Sequence, residues 1–344
     1  MERRTFIKTS ALAGVGLMTT GLSFGKTTQE PVKTGRRVGI IGLDTSHATA
    51  FTKSLNAENA SADFDGYKVV AAYPQGSKDI ESSVRRVPQY IEEVKKLGVE
   101  IVDSIPDLLK KTDVILLLSN DGRVRLEQAI PVFKAGKRMF LDKPIAGSLT
   151  DVLAIFQAAS DHNQPVFSSS GLRYISNIDE ILKNRAAGDI LGADTYTPCL
   201  LEPSHPDFFW YGIHGVEPLY AVMGTGCKTV TRFNTPDTDI VVGVWDDNRM
   251  GTVRGLRAGS IYNYGGTVYG TRGVRTLGEF VGYDPMLKEI IKYFNTGVSP
   301  VSPEETIEIF TFMEAADESK RRGGAAVNLA EVRKKALSQV KKTW

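Results

Sequence analysis

Apolar residues follow two different rhythms along this chain, and the change between them divides it. Residues 37–43 (Arg-Val-Gly-Ile-Ile-Gly-Leu) form a short apolar run that reads as a buried strand. Near Thr45 the spacing lengthens, and Ala48, Phe51 and Leu55 recur on one helical face. The same alternation predicts further strands at 68–73, 100–102, 113–119, 138–141 and 165–168. Helices are expected at 89–97, 124–135 and 149–159. The run at 113–119 has almost no polar break, as expected of a strand covered on both faces. Strands alternating with helices at this spacing predict an α/β, Rossmann-type, doubly wound parallel sheet. Ligands of such sheets bind at the carboxyl ends of the strands. The loops to inspect therefore begin at Gly42, Tyr73, Ser119 and Asp142.

After about residue 169 the pattern changes to glycine-punctuated, strand-like segments at 239–245, 250–257, 260–264 and 267–269. Helices are expected near 177–185, 216–223, 285–295 and 304–321. This reads as a C-terminal α+β domain on a mostly antiparallel, open sheet. The first ten residues carry Arg3, Arg4, Phe6 and Lys8, and a mild apolar stretch follows at 11–24. That order resembles a twin-arginine export signal, with cleavage expected after Gly25; a Sec signal and a simple membrane anchor are the other readings open to it. The stretch is too short and mild to span a membrane stably. The expected organisation is therefore a signal peptide at 1–25, a linker at 26–35, a Rossmann-type domain at 36–168 and an α+β domain at 169–344. The expected location is the periplasm, or export by the twin-arginine route.

Composition narrows the choice of function. The chain holds 42 basic and 40 acidic residues. Residues 1–25 contribute three basic and one acidic, so the remainder holds 39 of each. A neutral body lacks the basic excess that general nucleic-acid binding requires. Cys199 and Cys227 stand apart, with no paired-cysteine motif, so neither a disulfide-rich scaffold nor a zinc site is expected. No metal is expected.

Several landmarks stand in order: the first βα turn, Leu141-Asp142-Lys143-Pro144, Gly171-Leu172-Arg173-Tyr174, Gly212-Ile213-His214-Gly215-Val216-Glu217 and Tyr269-Gly270-Thr271-Arg272-Gly273. With them residues 36–330 resemble the Gfo/Idh/MocA family of sugar and cyclitol dehydrogenases. The resemblance implies NAD or NADP, with NAD favoured and tightly held, a carbohydrate or cyclitol substrate and a homo-oligomer. It makes residues 36–168 the Rossmann dinucleotide-binding-like domain and residues 169–344 the substrate and oligomerisation domain. It makes Lys143 the residue between nicotinamide and substrate, binding and polarising the substrate oxygen. It makes His214 the base that takes the hydroxyl proton. Arg173, His205 and Tyr211 become candidates for substrate contact, with an ion pair the other role open to Arg173. The resemblance places the cofactor on Gly42, Leu43, Asp44, Thr45, Ser46, Tyr73, Ser119, Asn120, Asp142 and Lys143.

The cofactor loop departs from the family's pattern. Its Gly-x-Gly-x-x-Gly aligns with Gly42-Leu43-Asp44-Thr45-Ser46-His47, and only the first glycine remains. Asp44 falls where backbone amides approach phosphate, and it is expected to repel phosphate or to cap the helix itself. His47 is bulky where helix and strand pack closely. No acid for the ribose follows residues 69–72. The expected activity is oxidation of a secondary alcohol or reduction of the ketone. Two alternatives remain: a redox-neutral, NAD-dependent glycosidase or epimerase, and a carbohydrate-binding protein without cofactor.

Overall fold

A computed structural model describes residues 35–258, 263–342 and 344. The expected signal peptide, and all of the expected linker except Gly35, lie outside them. β1 (Arg37–Ile41) leads into α1 (Ser46–Asn56), where Ala48, Phe51 and Leu55 turn inward as their spacing predicts. There follow β2 (Lys68–Tyr73), α2 (Glu81–Lys96), β3 (Glu100–Ile101), α3 (Ile105–Lys111), β4 (Val114–Leu117), α4 (Arg125–Lys134), β5 (Met139–Leu141), α5 (Leu149–Asp161) and β6 (Val166–Phe167). These strands form one sheet, ordered β3-β2-β1-β4-β5-β6, with every pairing parallel. Strand order reverses between β1 and β4, so the crevice at their carboxyl ends is the switch point where such sheets take ligands.

The expected elements differ from the observed ones where proline intervenes. α2 starts well before residue 89 and carries Pro88 inside it. α3 was not expected. It is one short helix capped by Ser104, with Pro106 in its first turn, where a missing N–H costs nothing.

The second half contains α6 (Ile178–Leu182), β7 (Ile190–Pro198), α7 (Asp207–Trp210), α8 (Ile213–Met223), β8 (Cys227–Asn234), β9 (Thr238–Trp245), β10 (Met250–Leu256), β11 (Gly265–Gly270), β12 (Gly273–Thr276), α9 (Asp284–Thr296), α10 (Pro303–Arg321), β13 (Val327–Asn328) and α11 (Leu329–Gln339). Its strands run β12-β11-β7-β10-β9-β8-β13. All pairings are antiparallel except β7 with β10. Of the strand expected at 260–264, residues 260–262 lie outside the described ones, and strand structure begins at Gly265. β7 and β8 were not expected. β7 contains Gly192, Asp194 and Pro198, which weaken strand propensity, yet it is paired on both sides. α8 packs on β7 and β10, and α10 on β8.

A boundary at 168/169 separates the two sheets but not the two cores. α9 buries Met286, Leu287, Ile290, Ile291, Tyr293 and Phe294 among Val38, Ile40, Phe140 and Phe167 of the first sheet. The Tyr293 hydroxyl donates to the carbonyl of Pro165 at 2.7 Å, and Arg138 donates to the carbonyl of Phe294 at 2.6 Å. Among the described residues, no helix is long and apolar enough to cross a membrane. Cys199 and Cys227 are free and buried.

Candidate active site

The turn after β1 is built around Gly42. Its φ is +90°, and its N–H donates to the Tyr73 carbonyl at 2.9 Å. A Cβ at this position would lie 2.5 Å from the Ser119 nitrogen, so the close approach of β1 to the β4 loop requires glycine. Leu43 and Asp44 are fully buried. Asp44 does not cap α1. Thr45 does so, accepting from the His47 N–H at 3.0 Å. The Asp44 carboxylate accepts instead from the Asn120 N–H at 2.9 Å, the Ser83 hydroxyl at 2.5 Å and the Ser77 N–H at 3.3 Å. Burial raises its pKa above the ordinary value, while these donors pull it back. The expected repulsion of phosphate gives way to a buried knot that joins the loops after β1, β2 and β4.

Ser119 is consumed in the same way. Its hydroxyl donates to Gln128, and its carbonyl accepts from Arg125 Nε at 2.9 Å. Ser46 is the exposed residue of the turn. At the ends of β2 and β4 lies a cavity of about 850 Å³ lined by Tyr73, Gln75, Ser77, Lys78 and Arg123, among others. Arg123 joins its two sides, bonding Asp79 at 2.5 Å and Asp121 at 2.6 Å. The cavity's volume is that of a small-molecule site, and it opens at the carboxyl ends of parallel strands, where such sheets take ligands. The familiar glycine cradle for the phosphates is absent, and only Gly42 and the open turn at Ser46 remain of it.

The loop after β5 supplies the other half of the site. Asp142 is fully buried. It accepts from the Lys143 N–H at 2.8 Å, and its second oxygen lies 2.7 Å from His47 Nδ1. Burial favours the neutral carboxyl, but His47 and Lys143 outweigh it and bring Asp142 down to about 2. Lys143, joined to Pro144 by a cis peptide, is lowered by burial. Asp142 opposes this shift, and Arg125 adds to it. His47 packs against Tyr283 and Phe51, with ring centroids 4.4 and 5.4 Å away.

His214 reaches the same place from the other sheet. It lies in the first turn of α8, where the helix dipole disfavours a cation. Burial holds its imidazole well below the ordinary value, and the charges of Lys143 and His47 push in the same direction. Its Nδ1 is 2.9 Å from the Ser170 hydroxyl, and the rings of Tyr211 and Tyr264 stand 5.0 and 5.7 Å away. The fold thus gathers His47, Asp142, Lys143, His214 and Tyr211. Ser170 and Tyr283 escaped the sequence reading. The signal available for Ser170 was its place just past the carboxyl end of a predicted strand.

Two candidates for substrate contact have other duties. Arg173 pairs with Glu217 at 2.8 Å and with Glu305, an ion-pair triad that sets its role. Burial alone lowers the guanidinium, but the flanking carboxylates raise it above its ordinary value. His205 accepts from the Gly122 N–H at 3.0 Å, its other ring nitrogen meets the Ser204 hydroxyl at 2.9 Å, and its ring lies on Trp210. Both nitrogens are occupied by protein groups, so the expected substrate contact is corrected to a latch between α7 and the β4 loop.

Comparisons with known proteins agree with this architecture. Residues 36–170 match the Gfo/Idh/MocA model, described as an oxidoreductase family with an NAD-binding Rossmann fold. An uncharacterised oxidoreductase of Streptococcus pneumoniae is 22% identical over 224 residues, which is 57% of this chain and 60% of the relative's length. The chain thus spans less than two thirds of that relative. Among solved structures, a probable dehydrogenase from Thermotoga maritima aligns with a TM-score of 0.70 at 20% identity, covering 86% of this chain and 99% of its own. Scyllo-inositol dehydrogenase from Lactobacillus casei, solved with NAD(H) and scyllo-inositol, aligns with a TM-score of 0.69 at 16% identity, covering 87% and 100%.

Proposed function

We propose that the protein is a Gfo/Idh/MocA-type oxidoreductase that oxidises a secondary alcohol of a sugar, glycoside or cyclitol, or reduces the ketone, with NAD or NADP. The supporting observation is the meeting of Lys143 and His214, from opposite sheets, at the carboxyl end of a Rossmann sheet. Burial lowers the proton affinity of both, which moves the Lys143 amine toward neutral pH and keeps the His214 imidazole uncharged there. Gly42, Ser46, Tyr73 and Ser77 would hold the dinucleotide, whose nicotinamide supplies the hydride chemistry. Lys143 and His214 bind the reacting oxygen and manage its proton, and Tyr211 closes the site beside His214. The L. casei neighbour acts on a cyclitol, which makes cyclitols the first substrates to test.

Full-length protein incubated with NAD⁺ or NADP⁺ and a panel of cyclitols and sugars is expected to generate reduced nicotinamide with at least one of them. Lys143→Met is expected to lower turnover about 100-fold or more, with cofactor binding retained in a fluorescence titration. Protein that neither binds NAD(P)H nor carries it through purification sinks the proposal. Release of a leaving group without net NADH identifies a redox-neutral enzyme instead. The buried Asp44 knot favours, as a second reading, a carbohydrate-binding protein without cofactor. Cofactor binding that appears only in Asp44→Gly with His47→Gly supports that reading.

We also place the protein outside the cytoplasm, on the strength of Arg3, Arg4 and the apolar run after them. Loss of export in Arg3→Lys with Arg4→Lys tests this. Assembly of copies through the open face of the second sheet is supported by exposed Phe233, Met250, Tyr196 and Tyr269, and light scattering tests it.

A further inference from the structure

The proton balance at Ser170 decides what His214 offers a ligand. Ser170 is fully buried. Its hydroxyl oxygen accepts from the Leu172 N–H at 3.2 Å, a contact with one direction only, because a backbone amide cannot accept. A hydroxyl has one proton and two lone pairs, and one lone pair is now used. The remaining partner is His214 Nδ1 at 2.9 Å. Were Nδ1 to carry the proton and donate it, both lone pairs would be taken. The buried hydroxyl proton would then have no acceptor among the described residues. Such an unmade bond is costly in a low-dielectric interior. With the hydroxyl donating to Nδ1, every group is satisfied.

The same segment is held from α8 itself. Glu217 lies one turn after His214, bonds Arg173 at 2.8 Å and accepts from the backbone of Ser170. α8 thus grips residues 170–173 through Glu217 and receives the Ser170 hydroxyl at His214.

We infer that Ser170 is a positioning residue that fixes His214 as the Nε2–H tautomer, making this imidazole a hydrogen-bond donor to the reacting oxygen and leaving proton exchange to Lys143. The inference rests on the proposed oxidoreductase reading and reassigns its two roles. In the oxidative direction, as hydride leaves the carbinol carbon for a bound nicotinamide, the hydroxyl proton passes to the lone pair of the Lys143 amine, which becomes an ammonium beside Asp142. His214 keeps its own proton throughout. In the reductive direction the ammonium returns that proton to the oxygen, and the His214 N–H steadies the developing negative charge.

The test is ¹⁵N-histidine NMR on the full chain. It has only four histidines, and single replacements of His47, His162 and His205 by Gln identify their signals. His214 is expected to show a bare, hydrogen-bonded Nδ1 and a protonated Nε2 at neutral pH. Ser170→Thr keeps that pattern, whereas Ser170→Ala gives averaged tautomers. A protonated Nδ1 in the unaltered protein overturns the inference. This readout needs no turnover, so failure of the tautomer and failure of the oxidoreductase reading are told apart. Once a substrate is in hand, His214→Ala is expected to lose about 100-fold in kcat/KM, and His214→Asn, which still offers an N–H, to recover about tenfold of it. Equal losses in the two variants overturn the donor role.

Discussion

At the scale of single residues, the site is set by where buried charge finds partners. Asp142 is held at about 2, against an ordinary 3.8, by His47 and Lys143. Its folded pKa lies below the unfolded one, so its contribution is complete above about pH 4 and drains as pH falls through about 2. The size is about 2 kcal/mol, at 1.36 kcal/mol per unit. Acid unfolding of His47→Gln is therefore expected to begin at higher pH than in the unaltered protein, as followed by circular dichroism. Asp44 offers a test that does not depend on pH. Asp44→Ala leaves the Asn120 amide and the Ser83 hydroxyl without an acceptor, while the Ser77 amide keeps the Ser83 oxygen at 2.9 Å. A loss of about 3 kcal/mol or more is expected in urea unfolding. A loss under 1 kcal/mol shows that the knot does not hold the crevice.

At the scale of elements, the β4 loop is where the two halves lock. Gly122 donates to His205, and a Cβ on it would meet the Ala146 carbonyl carbon at 2.5 Å. Gly122→Ala is expected to destabilise the protein by about 1–3 kcal/mol, measured as a lower Tm. Burial lowers the pKa of His205, against the pull of Asp121. The unfolded chain therefore takes up the proton first as pH falls. The latch contributes in full above about pH 6.5 and less as pH falls through the folded value. His205→Gln keeps an acceptor but does not titrate. It is expected to flatten the fall in stability below pH 6.5 by at most about 1.4 kcal/mol per pH unit.

At the scale of the molecule, α9 forbids independent behaviour of the two sheets. It is covalently continuous with the second sheet and buried in the core of the first. One cooperative unfolding transition is expected, with calorimetric and van't Hoff enthalpies in agreement. Two resolved transitions would mean that the two halves fold separately. The buried Arg232 works toward the same end within the second half, bonding Asp207, Asp239 and Asp317. It ties α7, which leads directly to Tyr211 and His214, to β8, β9 and α10.

The local pattern by itself determined most of the Rossmann half: strands buried on both faces and helices with one apolar stripe read directly from their periods, and the family resemblance singled out Lys143 among the residues past those strands. β7, α3 and the early part of α2 escaped, because glycine, proline and aspartate there are overruled by pairing and packing with distant segments, and β8 escaped although it contains none of the three. The order of landmarks also marked His214. Only the tertiary structure decided that Asp44 faces inward to three donors, that His47 pairs with Asp142, that His205 is a latch, and that Ser170 stands behind His214. Each of these depends on which distant amide, hydroxyl or carboxylate a buried polar atom meets. A buried polar atom must find such a partner, yet the chain around it does not say which one.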